Sequence, residues 1–246
     1  MGAVKPNPES VAIGIGSMSP LPAVPGLATI ACGGICSHAA ILSQSRGATI
    51  VPMKSKVFCI GFHKTGTTSL EMALKKLGYR VTGSFGTKDP DIANKVLEMA
   101  YARAANYDAF EDNPWPILYR ELDERFPGSK FILTRRPAEN WIRSQVKDFA
   151  STETPMRRWI YGADAGHPEG NEATYVARYE RHNREVLDYF RERPDDLLVM
   201  DIPADAAWAK LCSFLGADEP NEPFPHANKA SMSRRIKNRV SKLFGS

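Results

Sequence analysis

An ammonium group, a turn of backbone amides and three hydroxyls lie close together between residues 61 and 69, which read Gly61-Phe62-His63-Lys64-Thr65-Gly66-Thr67-Thr68-Ser69. Such a set suits an anion of phosphate size. Residues 57–60 ahead of it are apolar and short enough for a buried strand, and Leu70, Leu74 and Leu77 behind it recur at helical spacing. A strand, a glycine turn and a helix start aim free N–H groups and the positive end of the helix dipole at one small volume. Gly61, Gly66 and the Thr68 hydroxyl keep the spacing of the common phosphate loop G-x-x-x-x-G-K-[ST]. Its lysine position, however, holds Thr67, and the ammonium has moved into the turn as Lys64. From there it can reach across the cradle to a group attached to the bound phosphate. The plain alternative, a glycine turn before a Thr- or Ser-capped helix, needs the lysine, the glycines and the hydroxyls to coincide without purpose.

Two further strand ends carry charge. Residues 130–134 read as a buried strand and run into Arg135-Arg136-Pro137, with the proline well placed for a helix start. A guanidinium there can grip a phosphate bidentately, or it can simply cap a sheet edge. Glu111 and Asp112 close another short apolar segment at 109–111.

The 61–69 run resembles the 5′-phosphosulfate loop of the P-loop sulfotransferases, whose donor is 3′-phosphoadenosine 5′-phosphosulfate (PAPS) and whose hallmark is the displaced lysine. The resemblance implies that His63, Lys64, Thr65, Gly66, Thr67, Thr68 and Ser69 line the donor's 5′ side. The family's 3′-phosphate motif is an arginine at a strand end followed eight residues later by a serine, which Arg136 and Ser144 match. Arg135 stands where the family usually has an apolar residue, and Pro137 comes one place early, so Arg135 stays a candidate to share that site. Residues 110–122, 179–186, 193–199, 208–216 and 223–226 are also similar to small bacterial-type members, so the likeness spans roughly 54–230.

The implied reaction moves a sulfuryl group from PAPS to an acceptor hydroxyl on a carbohydrate or small molecule. Lys64 is the choice for the leaving-group oxygen. Relatives place a base near the end of the strand before the arginine strand, which makes Asp112 the first candidate and Glu111 the second, with His63 also able to take the proton; a helix cap or an arginine partner is the bland role for either acid. No divalent metal is required, because lysine and helix dipole carry that charge. The rivals are a P-loop kinase or NTPase, with Asp112 as a metal-binding acid, and a non-catalytic phosphoadenosine-binding protein.

The elements that must position these groups alternate. Strands are expected at 57–60, 80–82, 109–111, 131–134 and 197–200, and helices near 67–78, 90–105, 115–125, 138–149, 172–192 and 205–215. This alternation predicts an α/β fold with a parallel sheet between helices. The resemblance implies a three-layer α/β/α, P-loop NTPase-like domain with a five-stranded sheet in the order 2-3-1-4-5. Ligands in such sheets bind beyond the carboxyl ends of the strands, where all three charged groups fall. The stripe of Tyr175, Tyr179, His182, Val186 and Tyr189 reads as core packing, and the stretch 150–171 as part of an acceptor pocket.

Composition bounds the rest. The 246 residues are 43% hydrophobic and 24% charged, ordinary values for a globular protein. Cys59 and Cys212 read as small core residues, while Cys32 and Cys36 lack the partners of a zinc site. The net charge of +4 comes from six Lys and Arg residues beyond Glu222, so the body is no polycation and no nucleic-acid partner is expected. Residues 1–53 read as a low-complexity, disordered extension with neither signal peptide nor membrane span, and a cytoplasmic location is expected. Residues 231–246 space Met232, Ile236, Val240 and Phe244 four apart among basic residues, an amphipathic basic helix. It would dock on the domain; contact with an anionic membrane surface is possible but not favoured.

Overall fold

The structure, a computed structural model, describes residues 55–201 and 207–226. The expectations for 1–53, for the helix at 231–246 and for Cys32 and Cys36 lie outside them. Five short strands, β1 (Val57–Cys59), β2 (Val81–Thr82), β3 (Ala109–Phe110), β4 (Lys130–Arg135) and β5 (Leu197–Asp201), form one sheet. Its order is β2-β3-β1-β4-β5 and every pairing is parallel, as expected. Parallel neighbours need crossovers, and the helices that provide them cover both faces.

Strand alternation sorts the apolar side chains. Val57, Cys59, Ala109, Ile132 and Met200 pack with α1 (Thr67–Lys76) and α7 (Ala207–Leu215). Phe58, Phe110, Phe131 and Leu133 face the other layer, built from α2 (Ile92–Ala104), α3 (Tyr119–Arg125), α4 (Ala138–Phe149), α5 (Pro155–Tyr161) and α6 (Glu172–Tyr189). Phe58 is fully buried and stacks on Phe110 at 4.6 Å and on Phe131 at 5.5 Å; truncating such an aromatic costs roughly 3–5 kcal/mol. Cys59 and Cys212 are buried and free, as read from their context.

Two elements differ from expectation. The helix expected over 115–125 begins as a 3₁₀ turn, Trp115–Leu118, and becomes α3 only at Tyr119. The Ile117 N–H bonds the Pro114 carbonyl three residues back at 2.9 Å, the bond of the tighter turn. Helix α5 was not expected, because seven residues are too few for a periodic apolar pattern. Its start is nevertheless written locally: the Thr154 side chain accepts from the Arg157 N–H, and Pro155 follows at the first helical position. No helix among the described residues is long and apolar enough to cross a membrane.

Candidate active site

The sheet order brings the charged loops together. β1 lies between β3 and β4, and the register pairs Phe58 with Phe110 and Cys59 with Ile132. The segments leaving these strands, 60–66, 111–113 and 135–136, therefore emerge side by side. Gly61 is required there: a Cβ would stand 2.1 Å from Thr134 Oγ1 and 2.4 Å from the Thr134 carbonyl oxygen. Lys64 (φ 70°) and Gly66 (φ 105°) are left-handed, which curls the turn so that its amides converge at the head of α1. The Ser69 and Leu70 N–H groups bond the Gly66 carbonyl at 3.0 and 3.1 Å, while those of residues 65–68 donate to no protein acceptor among the described residues. These are the free donors of a helix start.

Distant residues hold the turn. The Thr65 hydroxyl donates to the Phe62 carbonyl at 2.5 Å and shares a 2.6 Å hydrogen bond with Thr134 Oγ1, so only its backbone N–H faces the cradle. Trp141 Nε1 and Gln145 Nε2, both on α4, donate to the His63 carbonyl at 2.9 and 3.1 Å. His182 Nε2–H on α6 donates to the Ile60 carbonyl at 2.8 Å, and its ring stacks on Phe62 at 4.4 Å. Burial pushes the His182 pKa down to about 3, so it holds this contact as a neutral ring. One turn earlier, the Tyr179 hydroxyl accepts from the Arg136 N–H at 3.0 Å and donates to the Arg136 carbonyl at 2.9 Å. The α6 stripe is thus core, as read, and its polar tips also fix both loops.

His63 is sealed within this frame. Gln145 presents Oε1 to the ring because its amide nitrogen is committed to the His63 carbonyl, so His63 Nε2–H donates to Oε1 at 2.8 Å. Asn113 Nδ2 donates to the opposite ring nitrogen, also at 2.8 Å. Burial lowers the His63 pKa below its ordinary value, although nearby Asp112 opposes the shift. A neutral imidazole with both nitrogens engaged has no lone pair left for an acceptor's proton.

The two carboxylates differ. Glu111 is buried, and its pKa is raised to about 8, first by burial and then by the Asp112 and Glu71 charges, while a hydrogen bond from Thr67 opposes the rise. Asp112 is half-buried in a left-handed conformation (φ 66°), which an aspartate tolerates. One of its carboxylate oxygens accepts from the Asn113 N–H at 2.7 Å; the other has no partner among the described residues.

The cations border the same space. Arg136 Nη1 donates to the Lys64 carbonyl at 3.1 Å, so the two motifs adjoin. Ser144 lies on α4 between Trp141 and Gln145, half-buried. Arg135 instead leans toward Asp201 of the neighbouring strand, 3.9 Å away. Thr68 is exposed at the cradle mouth, and Lys64 forms an ion pair with Asp148 at the end of α4. Sequence reasoning missed Gln145, Asn113, Asp148 and Arg157. Trp141, Gln145 and Asp148 do recur at helical spacing on one side of α4, a signal that would have pointed to the first and third. Arg157 on α5 is buried, lies 4.1 Å over the Phe149 ring and makes no ion pair among the described residues.

Comparison with known proteins agrees with this geometry. A chain from Aspergillus versicolor, "Ava biosynthesis cluster protein M", is 24% identical over 212 residues, covering 70% of this chain and 80% of that one. A family model described as "Sulfotransferase domain" matches residues 56–233, which take in the cradle, both carboxylates and the arginine strand. With that match spanning most of its length, and with the sheet order and loops in place, the chain belongs to the sulfotransferase domain family.

Proposed function

We propose that this protein transfers a sulfuryl group from PAPS to a hydroxyl of a small molecule or carbohydrate. The observation that carries the proposal is the cradle itself: four amides without protein partners among the described residues at a helix start, with Lys64 on its rim and Asp112 at the next strand end. The amides of residues 65–68 and the hydroxyls of Thr68 and Ser69 hold the donor's 5′-phosphate, while the Thr67 hydroxyl stays on Glu111. Arg136 and Ser144 hold its 3′-phosphate, which fits the bond that already ties Arg136 to the turn. His63 shapes this wall and exchanges no proton. The acceptor oxygen attacks sulfur as the bond from sulfur to the 5′-phosphate oxygen breaks. The electron pair leaves on that oxygen, where Lys64 meets the developing charge, and the acceptor proton passes to the unengaged oxygen of Asp112.

The acceptor enters from the side of α5, where Arg157 and Phe149 lie beside His63; the His63 and Phe149 rings are 5.4 Å apart. The relative's name places it in a biosynthesis cluster, which supports a small-molecule acceptor. Calorimetric titration with PAPS and with Mg²⁺–ATP, followed by an acceptor screen with labelled PAPS, tests the reading. Micromolar PAPS binding with label transfer is expected. Mg²⁺-dependent ATP turnover without PAPS binding would instead establish a kinase or NTPase, and nucleotide binding without transfer a binding protein. Lys64→Ala should lower transfer about 10²- to 10³-fold, the usual effect of removing one group that meets transition-state charge.

A further inference from the structure

Asp148 stands in the last turn of α4, where the negative end of the helix dipole disfavours a carboxylate. What compensates it is Lys64, with which it forms an ion pair, the two side chains being 38% and 30% exposed. The turn does not depend on this pair for its shape, because Trp141, Gln145, Arg136 and Thr134 already fix its carbonyls and hydroxyl. Asp148 therefore acts on the ammonium and not on the loop.

We propose that Asp148 is a positioning residue that competes with the bound nucleotide for Lys64; this rests on the reading of the cradle as a PAPS site. In the empty site Asp148 holds the ammonium. Donor binding draws Lys64 to the phosphosulfate and leaves Asp148 as a bare carboxylate near an anionic ligand. Both changes weaken nucleotide binding. After transfer, Asp148 takes the ammonium back and hastens departure of adenosine 3′,5′-bisphosphate. A half-exposed pair is worth little in itself, which suits a contact made and broken in every cycle.

The test is calorimetry with adenosine 3′,5′-bisphosphate on wild type, Asp148→Asn, Asp148→Glu, Lys64→Ala and the Asp148→Asn/Lys64→Ala double variant, with KM for PAPS measured alongside. Asp148→Asn should tighten bisphosphate binding roughly three- to tenfold, the range expected for losing a half-exposed partner and a nearby like charge. KM should fall by a similar factor without a rise in kcat, and Asp148→Glu should restore the wild-type values. In the Lys64→Ala background the gain should shrink to the part that comes from repulsion between Asp148 and the anionic ligand alone. An unchanged or weakened affinity in a folded Asp148→Asn protein overturns the proposal, as does the same gain with Lys64 removed. Failure of the folded wild type to bind bisphosphate or PAPS overturns the donor reading itself, and this inference with it.

Discussion

The glycine turn at 61–69 and the helical wall at 141–161 border one candidate site, but they are built differently. The turn presents its backbone. Its donors are amides, its curl comes from two left-handed residues, and its closeness to β4 comes from the absence of a side chain at Gly61. The wall works through side chains: Gln145 and Trp141 hold a carbonyl, Asp148 holds an ammonium, and Arg157 lies over Phe149. A backbone cradle must be specified by neighbours in the chain. A side-chain brace can come from residues 78 or 82 positions away. Function in this molecule is therefore divided between a local device and its remote support.

Substitutions can break or sharpen this division. The largest effect is expected for Gly61→Ala, whose methyl would collide with Thr134 backbone and side chain; a loss of about 3 kcal/mol or more should be read in chemical denaturation. Retention of wild-type stability would show that the turn can move away from β4. On the wall, Gln145→Ala strands the His63 ring N–H and removes one donor from its carbonyl, at a cost of about 1–3 kcal/mol. Thermal melts and PAPS affinity should both fall. If stability falls while donor affinity is untouched, the brace is structural alone. Arg136→Ala should weaken PAPS binding about tenfold, the value of a charge-assisted contact, as read by titration.

The smallest effect is a slope. Because the folded-state pKa of Glu111 is raised to about 8, above its ordinary value of 4.5, its contribution to stability is fully present below pH 4.5. It is lost as pH rises from 4.5 toward 8, at no more than about 1.4 kcal/mol per pH unit. Glu111→Gln keeps a neutral group there, so its melting temperature should exceed that of wild type increasingly between pH 5 and pH 8, both values bracketing that window. Parallel melting curves would mean that Glu111 is ionised at little cost. A transfer rate climbing with a midpoint near pH 8 would reassign the base from Asp112 to Glu111.

The same contrast explains what could be read in advance. The strands and the glycine turn were legible because each rests on contiguous residues, an apolar run of a few residues, a glycine pair and a leucine repeat, whereas the order of the sheet came only from the family resemblance. The positions of Arg136 and Asp112 were legible because charged residues closing buried strands have few places to go, and that of Lys64 because it sits inside the glycine turn. Asn113 and Gln145 were not, since nothing beside them in the chain reports that His63 will be packed between them. Helix α5 escaped because its seven residues complete barely two turns. The acids show the limit most clearly. Adjacent in sequence, Glu111 and Asp112 differ in burial, and only the folded environment separates an acid whose burial raises its pKa from one with an oxygen unpartnered among the described residues.

The paired anchors on α6 have a consequence for length variation. His182 fastens the exit of β1 and Tyr179 the exit of β4, from positions three residues apart on one helix. A helix advances about 1.5 Å and turns about 100° per residue, so it serves as a caliper between the two loops of the proposed donor site. Adding or deleting a single residue between them would swing one loop's fastening to a different side of the helix and ruin the gauge, although every residue of both loops stayed chemically intact.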